Sequence, residues 1–208
     1  MNKKILIYGG SSLISLELIK IFLTEEYEFI IFCRNKNSFV NKLEKLGIDI
    51  EKFLIYEVDL YDLENNLKII DQIKIELNGV IWVAGDTGDA DEEFKNINLA
   101  KKNIEINFLN PLLIINKLTL NLKTKENSFL VVLTSVAGLR GRQKNIFYGS
   151  AKSAMISYLS SLRQKFDGKI NIITVIPGYM STEKFNIKAP KFLITNPQKA
   201  ANKIFKAI

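Results

Sequence analysis

Tyr148 and Lys152 stand four residues apart in Tyr148-Gly149-Ser150-Ala151-Lys152. On a helix that spacing puts both side chains on one face. An ammonium beside a phenol favours the phenolate and draws its pKa down from about 10. The result is a group able to give and take a proton. Such a group matters because the chain contains no histidine. Ser-His-Asp triads, Cys-His pairs, HExxH zinc sites and the 2-His-1-carboxylate iron site are therefore excluded. A single cysteine, Cys33, excludes an intramolecular disulfide and a cysteine cage for zinc or an iron–sulfur cluster. No metal site is expected. Acid–base chemistry falls to Tyr, Lys, Asp, Glu or water. An isolated Tyr-x-x-x-Lys is usually a surface pair. Here it follows Ser135, which ends an apolar run in Leu133-Thr134-Ser135-Val136-Ala137-Gly138, and it shares the chain with a glycine turn, Tyr8-Gly9-Gly10-Ser11-Ser12-Leu13-Ile14-Ser15.

Positioning these residues needs a scaffold that brings strand ends together. Short apolar, β-branched runs at 4–8, 29–33, 53–58, 80–83, 129–134 and 170–176 read as strands. Helical patterns lie between them near 13–24, 38–46, 62–76, 100–122 and 147–166. A last helix starts at Asn196 as N-cap with Pro197 in its first position. Strand–helix alternation with unbroken apolar strands predicts an α/β fold: a doubly wound, Rossmann-type parallel sheet in the order 3-2-1-4-5-6, with helices on both faces. The chain is expected to form one dinucleotide-binding and catalytic domain over 1–208. Ligand is expected at the carboxyl ends of the strands, near the switch between strands 1 and 4. Gly9 and Gly10 permit a tight turn there, and Ser11 or Ser12 can cap the helix whose amides face an anion. Asn107, in Ile104-Glu105-Ile106-Asn107-Phe108-Leu109-Asn110-Pro111, is flanked by apolar residues and is expected to face inward. Pro177-Gly178 follows the sixth strand, with Thr182 four residues beyond the glycine.

Taken together, Asn107, Ser135, Tyr148-x-x-x-Lys152 and Pro177-Gly178-x-x-x-Thr182 resemble the short-chain dehydrogenase/reductase family from Lys3 to about Ile208. The resemblance implies that Tyr148 protonates the carbonyl oxygen and Ser135 hydrogen-bonds the same oxygen. It implies that Lys152 holds the nicotinamide ribose and depresses the Tyr148 pKa, and that Asn107 supports a water relay to Lys152. Thr182 and the backbone near Met180 would hold the carboxamide and phosphates. The cofactor side departs from the family's Gly-x-x-x-Gly-x-Gly. Gly9 is kept, but Leu13 and Ser15 replace the other two glycines, Leu13 adding bulk and Ser15 loosening helix–strand packing. Val83-Ala84-Gly85 stands where the family has Asn-Ala-Gly. Cofactor contacts are assigned to Gly9, Ser11, Ser12, Leu13, Ile14, Arg34, Asp59, Leu60, Ala84, Gly85, Tyr148, Lys152, Pro177, Gly178, Met180 and Thr182, with Asp59 at the position that contacts adenine. Cys33-Arg34 replaces the acid of NAD-preferring members, and Arg34 can pair with a 2′-phosphate. NADP(H) is the expected cofactor and NAD(H) the alternative.

Gly85-Asp86-Thr87-Gly88-Asp89, the 138–145 segment and Lys188-Ala189-Pro190 are similar to a narrower subgroup, which includes reductases of keto-pentoses carried on polyprenyl phosphate. That similarity implies a keto-sugar substrate, phosphate-bearing or lipid-linked, met by Arg140, Arg142 and Lys144. Two other readings use the same sequence: a catalytically idle Rossmann scaffold, and a 3-oxoacyl-carrier-protein reductase. Lys and Arg number 29 against 22 Asp and Glu, a net charge of +7. Six lysines (184, 188, 191, 199, 203, 206) face one acid, Glu183, in the last 26 residues, which include most of a substrate loop at about 178–195. No basic run is interleaved with aromatics, so a nucleic-acid partner is not expected. No apolar stretch reaches membrane-spanning length. The expected location is cytoplasmic, with the membrane surface as the alternative, and the family resemblance implies a homodimer or homotetramer.

Overall fold

The computed structural model describes residues 3–73, 76–123, 128–180 and 194–208. Six strands form one parallel sheet: β1 (Lys4–Tyr8), β2 (Glu28–Cys33), β3 (Phe53–Glu57), β4 (Gly79–Trp82), β5 (Ser128–Leu133) and β6 (Ile170–Val175). Their order is β3-β2-β1-β4-β5-β6, as the alternation predicts. All residues of β4 and β5 are buried, a burial that requires helices on both faces of the sheet. Leu6, Tyr8, Phe32, Val80 and Trp82 point to one face, with Ile70, Ile114, Leu118 and Leu159 over them. Ile5, Ile7, Ile31 and Ile81 point to the other, under Phe22, Phe39, Leu43 and Ile204. Each such buried side chain contributes about 1.5–3 kcal/mol, so the two faces hold the strand ends firmly level. Tyr8 pairs in register with both Phe32 and Trp82. The chain crossover between β1 and β4 therefore opens a crevice directly above Gly9.

The first face is covered by α3 (Leu63–Gln72), α5 (Ile97–Ile104), α6 (Asn110–Thr119) and α7 (Ile146–Lys165). The second is covered by α1 (Leu13–Thr24), α2 (Lys36–Lys45) and α8 (Pro197–Ala207). Asn196 caps α8 by accepting from the Gln198 amide at 2.8 Å, with Pro197 following it. Two features differ from the sequence reading. A short helix, α4 (Ala90–Lys95), precedes α5; Asp89 caps it by accepting from the Asp91 and Glu92 amides. The single helix expected at 100–122 is α5 and α6 joined by a π turn over Glu105–Leu109. The cause is Pro111. It has no N–H to donate to the Asn107 carbonyl, and its ring would clash there, so the helix widens. The Asn110 amide reaches back to the Glu105 carbonyl instead. Beyond β6, β7 (Tyr179–Met180) pairs in parallel with β8 (Ile194–Thr195), bringing together the two ends of the predicted substrate loop.

Candidate active site

Every described residue assigned to the site follows a strand or lies on the helices flanking the crevice. After β1, Gly9 adopts φ +86°, and a Cβ there would sit 2.8 Å from the Ala84 amide nitrogen. Only glycine lets the two strand-end loops approach so closely. Ser12 caps α1, accepting from the Ser15 amide at 3.1 Å. The amides of Leu13 and Ile14 open α1, where no intrahelical carbonyl reaches them. Ser15 does not loosen the packing. It is fully buried, donates to the Gly9 carbonyl at 2.9 Å and lies 2.8 Å from the Ser12 hydroxyl. A hydroxyl thus stitches the turn that the family closes with glycine. Arg34 is exposed after β2, and Asp59 is exposed after β3, accepting from the Tyr61 amide at 2.9 Å. Arg34, Asp59, Asp62 and Asn65 line one concavity at this end. Leu60 is buried beneath it.

The opposite end is built from β4, the π turn, β5 and α7. A Cβ placed on Gly85 would lie 2.9 Å from Asn107 Oδ1 and 3.2 Å from Lys152 Nζ. The Asn107 carboxamide and the Lys152 ammonium therefore converge on the same glycine. Lys152 is 4% exposed, and among the described residues no carboxylate pairs with it. Burial pushes its pKa down to about 8. Its Nζ lies over the Tyr148 ring, 5.5 Å from the centroid. Burial raises the Tyr148 pKa, the neighbouring Ser135 hydroxyl pulls it back, and the Asp86 carboxylate raises it further. This corrects the expected direction. Lys152 does not depress the Tyr148 pKa, because the buried amine holds its charge weakly and stands over the ring face. Ser135 follows β5, its hydroxyl accepting from the Ala137 amide at 3.1 Å. Pro177 is fixed beside it, its carbonyl accepting from the Val136 amide at 3.1 Å. Gly178 is exposed and Met180 half-buried. Thr182 and Lys184, Lys188 and Lys191 lie outside the described residues. The structure thus brings together Asn107, Ser135, Tyr148 and Lys152, and keeps Arg34 and Asp59 at the far end of the crevice.

Several polar residues that shape the site escape a reading by spacing. Asn66 is buried and donates at 2.6 Å to the carbonyls of both Asp59 and Asp62. Asn110 donates to the carbonyls of Leu60 and Tyr61 at 3.0 and 3.2 Å. Together they hold the loop after β3 from below. Lys42 on α2 donates to the Ser11 carbonyl at 2.8 Å, which places a cation at the β1 turn. Glu93 and Asn103 are buried behind the 85–89 loop. The available signal was weak: polar residues interrupting apolar helix faces, with partners set by tertiary contact.

Comparison with known proteins agrees with this geometry. The short chain dehydrogenase family profile matches residues 3–191. A dehydrogenase/reductase SDR family protein 7-like from Dictyostelium discoideum is 28% identical over 88% of this chain, and the chain spans 60% of that relative's length. The ketoacyl reductase HetN of Nostoc is 22% identical over 100% of the chain and 75% of its own. Among solved structures, ElxO with NADP bound superposes with a TM-score of 0.80 at 23% identity, covering 100% of this chain and 91% of that one. At that identity the likeness speaks for the fold.

Proposed function

The chain belongs to the short-chain dehydrogenase family, a class of NAD(P)-dependent oxidoreductases, and on that premise we propose that it reduces a carbonyl with NADP(H), using Tyr148 as general acid and base. The observation that carries this reading is Lys152. A buried ammonium without a carboxylate partner is costly, and here the cost falls beside Tyr148, Ser135 and Asn107. Strongly perturbed groups converging in a crevice are the mark of acid–base chemistry.

The residues fit a dinucleotide. Gly9 leaves the backbone bare where a Cβ would meet Ala84, and the amides opening α1 together with Lys42 offer positive charge for a pyrophosphate. Arg34 supplies a guanidinium for a 2′-phosphate. ElxO is described with NADP bound, and BdcA with NADPH. When bound, the nicotinamide supplies the hydride. Tyr148 Oη donates the proton to the substrate oxygen, and Ser135 Oγ donates a hydrogen bond to that oxygen. Lys152, with a pKa of about 8, can return a proton toward Tyr148 near neutral pH. Burial keeps Tyr148 protonated, ready to act as the acid of a reduction.

For the substrate, Arg140 and Arg142 line an exposed groove with Gly138 and Ser150, close to the start of α7. They suit a phosphate-bearing keto-sugar. The name of the Nostoc relative favours a second substrate class, a 3-oxoacyl group. Among the described residues no helix is long and apolar enough to cross a membrane, and a cytoplasmic location goes with the reading. Exposed Ile97, Leu109 and Leu113 on α5, the π turn and α6 favour pairing of subunits along these helices. Titration of purified protein with NADPH and NADH, followed by fluorescence, tests the proposal. Tighter NADPH binding supports it; binding of neither leaves an idle scaffold.

A further inference from the structure

Glu93 is 5% exposed, and its carboxyl is used by nothing in the chemistry above. It lies on α4, behind the loop that follows β4. The Asn103 side-chain amide donates to Glu93 Oε1 at 2.5 Å. That leaves Asn103 Oδ1 to accept, and it accepts from Asn107 Nδ2 at 2.9 Å. Asn107 Nδ2 also donates to the Asp86 carbonyl at 2.7 Å, and Asn107 Oδ1 accepts from the Asp86 amide at 3.1 Å. The same Oδ1 faces the space at Gly85 that Lys152 Nζ also faces.

The chain has a direction. An ionised carboxylate can only accept, so Asn103 must turn its NH₂ toward Glu93 and its oxygen toward Asn107. Asn107 then presents nitrogen to Asn103 and oxygen to Asp86 and the Lys152 side. Gly88 closes the arrangement with φ +64°; a Cβ there would collide with the Glu93 carboxyl and the Asn103 amide. Burial raises the Glu93 pKa, Asn103 lowers it, and Asp89 and Asp86 raise it again. Isolation of a carboxyl among acids is unfavourable unless its hydrogen bonds are held, so the chain is fixed at both ends.

We propose that Glu93 is a positioning residue for the active site: its carboxyl orients Asn103, Asn103 orients Asn107, and Asn107 holds the Asp86 backbone beside Tyr148 and the wall against Lys152. The inference rests on the reading of Tyr148 and Lys152 given above. It assigns the 85–89 loop a polar anchor that reaches the reacting groups without touching them.

The test compares Glu93→Leu, Glu93→Gln and Asn103→Leu with the wild type. Two quantities are read: the NADPH dissociation constant by fluorescence, and the Tyr148 titration midpoint by NMR of ¹³C-labelled tyrosine, assigned with Tyr148→Phe. Glu93→Leu is expected to weaken NADPH binding about tenfold, the weight of one charge-assisted hydrogen bond, and to lower the Tyr148 midpoint as Asp86 moves away. Glu93→Gln keeps an acceptor and should stay close to wild type in both. If Glu93→Leu does not fold, Asn103→Leu carries the same expectations. The proposal is overturned if the leucine variants melt earlier but keep both quantities, or if Glu93→Gln loses as much as Glu93→Leu, which would assign the effect to charge. A wild type that binds no NADPH refutes the catalytic reading alone, since the Tyr148 titration needs no cofactor.

Discussion

At the β1–β3 end of the crevice Arg34 and Asp59 stand in solvent, while at the β4–β6 end Lys152 is 4% exposed. The first end offers backbone amides, glycine contacts and exposed charge, means suited to an anion that brings its own hydration. The second offers a dry pocket in which burial shifts both Tyr148 and Lys152 toward their neutral forms. The two ends also tolerate substitution differently. Ser15 and Leu13 replace glycines at the first end, and the turn is restitched through a serine hydroxyl. At the second end Asn107, Ser135, Tyr148 and Lys152 all keep the family's residue types. Backbone-mediated binding can be rebuilt from several side chains; proton transfer requires one atom in one place.

The largest test of this contrast is Tyr148→Phe. It keeps the ring and removes the acid, so turnover should fall by about 100- to 10,000-fold with the melting temperature little changed. Full turnover in the variant would erase the distinction between the ends. Next is Lys152→Met. The folded pKa of about 8 lies below the free value of 10.5, so the unfolded chain binds more protons between those values. Folding stability of the wild type should therefore rise as pH climbs from about 8 toward 10.5, and below 8 the penalty is present in full. Relative to Lys152→Met the gain should be about 3 kcal/mol, read by denaturant unfolding at each pH. A flat difference would mean that the amine is solvated.

At the exposed end the effects are smaller. Arg34→Ala should weaken NADPH binding about tenfold and leave NADH binding unchanged, because only the former carries the 2′-phosphate. Equal losses for both would place Arg34 elsewhere on the cofactor. Smallest is Ser15→Gly, which restores the family's residue. It should destabilise the protein by about 1–2 kcal/mol in thermal unfolding, since it deletes two hydrogen bonds and puts glycine in the first turns of a helix. A gain in stability would show that the serine is a cost borne for another reason.

The strand order and the quartet of polar residues could be read from the chain because both rest on local periodicity and fixed spacing. The β1 strand falls at the expected residues, and α7 opens one residue earlier than expected. What could not be read rests on contact across the fold. The run Ala90–Lys95 is charged and lacks an apolar stripe, so α4 shows itself only through the Asp89 cap. The effect of Lys152 on Tyr148 was inferred from charge alone, whereas burial of both groups decides it. Glu93, Asn103, Lys42 and Asn66 find partners 7 to 31 residues away along the chain. No spacing rule connects them.

The π turn carries an evolutionary consequence. A widened turn amounts to one extra residue inside an otherwise regular helix, and removing one residue there would wind the segment back into α geometry. Everything beyond it would then rotate by about 100°. Ile114, Ile115 and Leu118, all fully buried against the sheet, would swing away from their seats, and apolar residues now facing outward, such as Leu113, would change places with them. The bulge that sets Asn107 is thus locked to the hydrophobic phase of α6. A lineage can lose the chemistry by exchanging side chains, but it cannot straighten this helix by a single deletion without dislodging α6 from one face of the core.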